Sequence, residues 1–470
     1  MLDALQLGIP VGLWLLYRAR ANLPSLFYHR NFPGLVAIGF GALGALRAAR
    51  YAVNALPEVE GWESDAIARA IAAGHGFSFP GWMHWLWDMQ REDPNAFFPT
   101  AWQDPVYTYL LAGMHLLFDD KAYLAAYAFN FVCIAVLAYL VYRTAFRFAG
   151  AWTGATAVVL LSAHTELYVS FFANITATAL ATCVIMVCVL AAVRYFESPT
   201  WRRIVVLGLA AGFTVLASPA AVYFAYALAA SLVLYHRSVL STGIIRAAAF
   251  LLAAALVVLP WSIRNYETFG TFVLVRTGAG EIAYTSTVAT AATFMPGVAR
   301  SPVDVPWTST GPAAAIVEQL QERDKRIALN TFEFDVFEAA PPPGYDAMNE
   351  AQRDAVHLKR AKEFLIEHPV VAAEMAIAKW KVLATTFDVY GLALLALAVL
   401  GAALAIRDPR SWPLTLMVGA TSVVFLVLIP YYDRYRSPME PSIVVLAAIA
   451  LKTLDERLRS AFRRAGVSGE

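Results

Sequence analysis

The chain is poor in charge and in cysteine, and each shortage excludes something. Only 15% of its 470 residues are charged, and the formal net charge is +1. That balance argues against a nucleic-acid binder, which shows a basic surplus. Three cysteines, Cys133, Cys183 and Cys188, all fall within apolar stretches, without the spacing of a zinc site or a disulfide framework. They read as small hydrophobes in helix packing. No cleavable leader is expected: residues 4–17 are apolar but lack a basic start and a small-residue cleavage site. They suit a short interfacial or buried helix interrupted by Pro10. No internal repeat stands out, which weakens an inverted-repeat transporter.

What the chain has is apolar sequence. Hydrophobic residues make up 59%, against roughly 45–50% in soluble domains. The long apolar stretches predict about ten transmembrane helices: Phe32–Val53, Tyr123–Tyr142, Trp152–Val169, Ile175–Val193, Ile204–Ala217, Ala220–Tyr235, Arg246–Trp261, Val389–Ile406, Trp412–Ile429 and Pro441–Leu451. The fold class is therefore an all-α polytopic membrane protein. If the spans simply alternate, Arg18, Arg20, Arg30, Arg143, Arg147, Arg194, Arg202, Arg203, Arg237, Arg407, Arg410 and the basic tail from Lys452 share one side. By the positive-inside rule that side is the cytoplasm, and both termini lie there. Two long segments, about 54–121 and 262–388, then face the outside. They divide the chain into an N-terminal transmembrane module (1–262, including the acidic outer loop 54–121), an outer segment or cap (263–388), and C-terminal helices with a basic tail (389–470).

The first outer loop carries Glu58, Glu60, Glu63 and Asp65, four carboxylates in eight residues, running into a short helix that ends at Gly74. Glu60 and Glu63 share a face if the helix begins early enough. The cluster reads either as a solvated acidic turn that complements the helix dipole or as a source of a base for an acceptor hydroxyl. A second cluster, Pro99-Thr-Ala-Trp102-Gln103-Asp104-Pro105-Val106-Tyr107, leads into an amphipathic run at 109–118. Both helices are expected to lie at the membrane surface with their carboxylates facing water.

Arg434 and Arg436 fall on the same outer side, and as i and i+2 of an extended segment both can clamp one phosphate. Arg264 emerges there too, and each arginine reads equally as a headgroup anchor. Arg47 and Arg50, near the outer end of the first span, either pair with Glu63 or Asp65 or snorkel. His164, Glu166 and Asn174 read as turn and rim residues first. The sequon at Asn174 abuts a span and reads as chance.

At these residues the sequence resembles the GT-C glycosyltransferases, specifically bacterial relatives of protein O-mannosyltransferases (glycosyltransferase family 39) and lipid A aminoarabinose transferase. The resemblance rests on Trp62-Glu63…Ile67-Ala68…Gly74-His-Gly76-Phe77-Ser78, on Thr100-Ala-Trp102-Gln-Asp-Pro105-Val-Tyr107, and on Pro260-Trp261-Ser-Ile-Arg264-Asn265-Tyr266…Phe269-Gly270. Phe364-Leu-Ile-Glu-His368-Pro369 and Arg434-Tyr-Arg436-Ser-Pro438-Met-Glu440-Pro441 complete it.

The resemblance implies an inverting transfer from a polyprenyl-phosphate sugar to a lipid, glycan or protein acceptor, at the outer face of the bacterial inner membrane. A carboxylate of the first outer loop would be the base, with the second outer segment as a cap. The family's Asp-Glu pair is replaced here by Glu60-Gly61 followed by Trp62-Glu63. Glu63 is thus the preferred base, with Glu60 and Asp65 as rivals and Asp104 orienting base or acceptor. Arg434, Arg436 and Arg264 would stabilise the departing phosphate. The family's basic residue before the second-cluster proline is replaced by Gln103-Asp104. No cofactor is assigned and a divalent metal stays open; membrane lipids are partners and nucleic acid is not. The rival readings are a transporter or flippase for a lipid-linked or anionic substrate, and a non-catalytic scaffold. The enzyme reading requires Glu63 and Arg436 to open onto one chamber.

Overall fold

The computed structural model describes residues 39, 63–81, 96–164, 167, 171, 176–284, 286–287, 343–385, 387, 389–427 and 436–464. Helix dominates. The first outer loop forms α1 (Glu63–Ala72) and a small antiparallel hairpin, β1 (Ser78–Pro80) with β2 (Phe97–Pro99), in which Phe79 pairs with Phe98. The hairpin is a minor departure from the all-α expectation. Then follow α2 (Pro105–Phe118), α3 (Ala122–Ala149), α4 (Ala151–Ala163), α5 (Thr178–Glu197), α6 (Trp201–Ala217), α7 (Val222–Tyr235), α8 (Leu240–Phe269) and the short α9 (Ala279–Tyr284). After a gap come α10 (Glu350–Glu367), α11 (Pro369–Thr385), α12 (Val389–Ala405), α13 (Trp412–Val427) and α14 (Glu440–Arg464).

The described part of each predicted span overlaps a helix, which by itself does not establish ten crossings; Phe32–Val53 lies outside the described residues except for Gly39. Among the described residues three helical stretches, 105–149, 178–197 and 237–269, are individually long and apolar enough to cross a membrane, and 151–163, 219–235 and 389–405 are shorter apolar helices. Large apolar side chains cover the outside of the bundle. On α8, Leu252, Leu256, Leu259 and Ile263 are 48–63% exposed along one stripe, as a lipid-facing surface requires.

The core is built by close backbone approach. Gly208 and Gly212 of α6 sit against α8, where an added Cβ would stand 2.6 Å from the Ala253 Cβ and 2.8 Å from the Val257 Cβ. Small residues four apart allow this packing where no hydrophobic force separates helix from lipid. Gly401 of α12 is pressed onto the Leu446 carbonyl of α14. Ile443 to Ala450 of α14 are all buried, as befits a stretch that is apolar all round, in a helix packed by α3, α4, α12 and α13.

Two boundaries move in ways that build the site. α8 has 30 residues and ends on Gly270 in the left-handed region, which makes it about 45 Å long. That exceeds a hydrocarbon core of about 30 Å, and Pro260 inside it does not end the helix. Arg264 and Asn265 are therefore helical residues, where the sequence suggested a segment leaving the membrane. The expected surface helix at 109–118 is α2. It buries Tyr107, Thr108, Leu111, Ala112 and Met114 and packs against α1 and α3.

Candidate active site

Glu63 is the first residue of α1 and is half-buried. At the positive end of the helix a carboxylate is favoured, and among the described residues it has no ion-pair partner. Two residues on, Asp65 is turned inward and is 3% exposed. Its Oδ1 lies 2.7 Å from the His115 Nε2, and its Oδ2 accepts from the Tyr123 hydroxyl at 2.7 Å and the Arg69 Nε at 2.9 Å. Arg69 also donates to the Tyr123 hydroxyl. Burial raises the Asp65 carboxyl, but the His115 and Tyr123 bonds and the Arg69 charge outweigh it and leave it below its ordinary value. The expectation that these carboxylates face water thus fails at Asp65. The physical reason is that α2 and α3 present His115 and Tyr123 against the buried face of α1, and Arg69, one turn along α1, completes the set.

A second group forms where residues 77, 100–104, 261–281 and 349–354 meet. Asn265 donates to the carbonyls of Val273 and Val275, Ser262 to that of Leu274 at 2.6 Å, and the Trp261 indole to that of Val275 at 2.6 Å. The tip of α8 thereby captures the irregular segment 273–275. Arg264 reaches the other way, donating to the carbonyls of Thr100 at 2.7 Å and Phe77 at 3.0 Å. Its guanidinium lies 5.0 Å from the Trp261 ring and 5.6 Å from that of Phe77.

Glu350, at the first turn of α10, accepts from the Thr100 hydroxyl at 2.7 Å, the Ala101 N–H at 3.1 Å and the Thr277 hydroxyl. One turn later Asp354 accepts from the N–H groups of Gly280 and Glu281. Asn349 starts α10 with a reciprocal capping box to Gln352. Burial raises the carboxyls of Glu350 and Asp354. It pushes Glu281 well above the ordinary range, with the Asp354 and Glu350 charges adding to the effect. Asp104, at the start of α2, does not cap that helix with its side chain. Its Oδ1 stands 4.0 Å from Arg276 Nη1.

The third group lies at the start of α14. Glu440 is held between the His164 Nε2 at 2.7 Å and the Arg436 Nε at 2.6 Å. Arg436 stacks 4.2 Å from the Phe387 ring centroid. All three polar residues are at most 3% exposed.

The structure thus brings Arg264 and Asp104 into one polar assembly and sets Glu63 and Asp65 on the helix packed against α2. It ties Arg436 to His164 and Glu440. Glu60 and Arg434 lie outside the described residues. Sequence reading missed His115, Tyr123, Arg276, Glu350 and the role of Glu440. The Arg436–Glu440 spacing of four was a visible signal once that turn is known to enter a helix; nothing local marks Glu350 or His115. Among the described residues no group of three or more His, Cys, Asp or Glu side chains is arranged to hold a metal ion.

Residues 100–262 match the sequence model of the dolichyl-phosphate-mannose-protein mannosyltransferase family. This match includes Asp104 and ends two residues before Arg264. It upholds, over that stretch, the resemblance to the GT-C glycosyltransferases. No curated protein matches the chain. Among solved structures, the archaeal oligosaccharyltransferase AglB from Archaeoglobus fulgidus, in complex with an inhibitory peptide and a dolichol-phosphate, aligns with a TM-score of 0.48 at 13% identity. The alignment covers 92% of this chain and 52% of that one, so the chain spans about half the length of AglB.

Proposed function

We propose that the protein transfers a sugar, with inversion, from a polyprenyl-phosphate donor to a lipid, glycan or protein acceptor at the outer face of the bacterial inner membrane, both termini being cytoplasmic. The observation that carries this reading is the mannosyltransferase family match over residues 100–262. The outer polar assembly described above is built directly onto that region. In this reading residues 1–262 form the catalytic transmembrane module, 263–388 its cap, and 389–470 the closing helices.

Glu63 takes the proton from the acceptor hydroxyl or amine as that atom attacks the anomeric carbon and the bond to the phosphate oxygen breaks. Among the described residues Glu63 has no ion-pair partner, which supports it over Asp65, whose oxygens are already occupied by three donors. Glu60 keeps its place as rival. Arg434 is the proposed direct phosphate ligand. Arg264 and Arg436, held by carbonyls and by Glu440, contribute positive charge from fixed positions.

The second reading, a transporter or flippase, draws on the buried His164–Glu440–Arg436 group, since ionisable groups buried in a membrane bundle often mark a transport path. Purified protein reconstituted in vesicles with radiolabelled polyprenyl-phosphate sugars separates the two. Transfer that Glu63→Gln abolishes supports the enzyme. Movement of label between leaflets without transfer supports the transporter, and full activity in Glu63→Gln removes that residue as base.

A further inference from the structure

The end of the bundle opposite the Arg264 assembly gathers arginines that no carboxylate answers. α6 and α8 both begin there and run side by side, Gly208 against Phe250 and Gly212 against Ala254. Arg194 lies in the last turn of α5, Arg202 and Arg203 open α6, Arg237 follows α7, and Arg246 stands in the second turn of α8. The turn between α5 and α6 ties them together. Arg203 Nη1 donates to the carbonyls of Arg194 at 2.6 Å and Ser198 at 3.1 Å. Arg246 Nη1 donates to the Tyr195 hydroxyl at 2.9 Å and the Pro199 carbonyl at 3.0 Å. His236, just before Arg237, places its Nε2 3.0 Å from the same hydroxyl. Glu197, the carboxylate of this turn, is bound to Arg147 instead. Among the described residues none of the five arginines has an ion pair.

These groups can be reached. Arg194, Arg202 and Arg237 are exposed. Nη2 of Arg203 and of Arg246 has no hydrogen-bond partner and, unlike the Arg246 Nε, is not sealed from solvent. Five like charges held on one turn repel one another, and an anion among them relieves that. Phosphodiester oxygens match guanidinium donors. The surroundings decide what carries the phosphate. Exposed aliphatic side chains continue directly from the arginines, Val205 and Leu209 along α6, Ile245 and Leu252 along α8. Trp201, 53% exposed, lies with its ring centroid 5.4 Å from the Arg246 guanidinium, as an indole does at a membrane–water boundary. A headgroup that also carried an ammonium would find no unpaired carboxylate here to receive it. We infer that this end of the bundle binds an anionic phospholipid, its phosphate on Arg202, Arg203 and Arg246 and its acyl chains along α6 and α8. The site lies at the far end of α8 from the proposed transfer chemistry and does not depend on that reading.

The test titrates the purified full chain, in detergent micelles that present no charged bilayer surface, with phosphatidylglycerol or phosphatidylcholine, and counts bound lipid by native mass spectrometry. Phosphatidylglycerol should bind at least about tenfold tighter than phosphatidylcholine. Arg202→Gln, which removes no hydrogen bond or ion pair within the protein, should weaken phosphatidylglycerol about fivefold, the worth of one arginine at an anionic lipid. Arg246→Gln should weaken it about tenfold. Neither should alter phosphatidylcholine binding. Should Arg246→Gln melt lower than the wild type, Arg202→Gln carries the comparison alone. Arg457→Gln removes the same charge near the end of α14, outside the cluster, and should change nothing. Equal affinity for the two lipids overturns the inference. So does an equal loss in Arg457→Gln, the mark of diffuse attraction, or an unchanged affinity in Arg202→Gln. Inorganic phosphate that displaces the lipid at equal concentration would mark a site for a free anion and overturns it as well.

Discussion

Asp65 and His115 lie fifty residues apart in sequence and 2.7 Å apart in space. That contact, with those from Tyr123 and Arg69, clamps α1 onto α2 and α3 two residues from the proposed base. Asp65→Asn should therefore destabilise the folded protein by about 2–4 kcal/mol, as breaking a buried network does. Glu63→Gln should leave the melting temperature almost unchanged while lowering transfer at least ~100-fold. Equal loss of stability in both variants would contradict the division of roles.

Glu350 joins three chain segments through one buried carboxylate. Glu350→Ala leaves two hydroxyls and an N–H without their partner, and should cost about 2–4 kcal/mol. Limited proteolysis should show the outer segment cut first, with the transmembrane helices intact. Uniform cutting along the chain would count against a local clasp.

His357, within α10, has its imidazole pushed down from 6.5 to about 4, first by burial and then by the Arg360 and Arg353 charges. It bonds the Tyr345 hydroxyl at 3.0 Å. Between these two values the unfolded segment binds a proton that the folded one refuses. Stability is thus complete above pH 6.5 and falls as pH drops toward 4, by about 3 kcal/mol at most. Hydrogen exchange in α10 should accelerate over that window in the wild type. His357→Gln should remove most of this dependence, and an unaltered profile would refute it.

Gly401 rests on the Leu446 carbonyl, which is backbone and cannot swing aside. Gly401→Ala should lower stability by about 1–3 kcal/mol through forced separation of α12 from α14. Gly419, with open space where its Cβ would lie, is the control: Gly419→Ala should be neutral or slightly stabilising.

Much of this architecture could be read from the chain. Apolar runs located α5, α6, α7 and α12 to within a few residues because a lipid-facing helix must be apolar along its length. The same signal stopped early on α8. Arg264 and Asn265 read as the exit from the membrane, whereas their side chains are satisfied by carbonyls of segments 77–100 and 273–275, which lets the helix continue. Asp104, Glu63 and Arg264 were legible as candidates because carboxylates and guanidiniums are costly beside a bilayer. Glu350 was not, since its partner Thr100 is 250 residues away and no local pattern anticipates such a pairing. Asp65 misled for the same reason: its helix position suggested solvent, and only the distant His115 and Tyr123 explain its burial.

The length of α8 also ties the outer chemistry to the lipid. One rigid rod bears the apolar stripe Leu252–Ile263 and, at its tip, the residues that grip both outer segments. A bilayer thinner or thicker than that stripe must tilt the rod or deform around it, and either response moves the grip. If it is the proposed transferase, the protein should consequently act as a gauge of its own membrane, with turnover in reconstituted vesicles peaking at one acyl-chain length and falling on both sides; a flat profile would show the tip to be mechanically insulated from the rod.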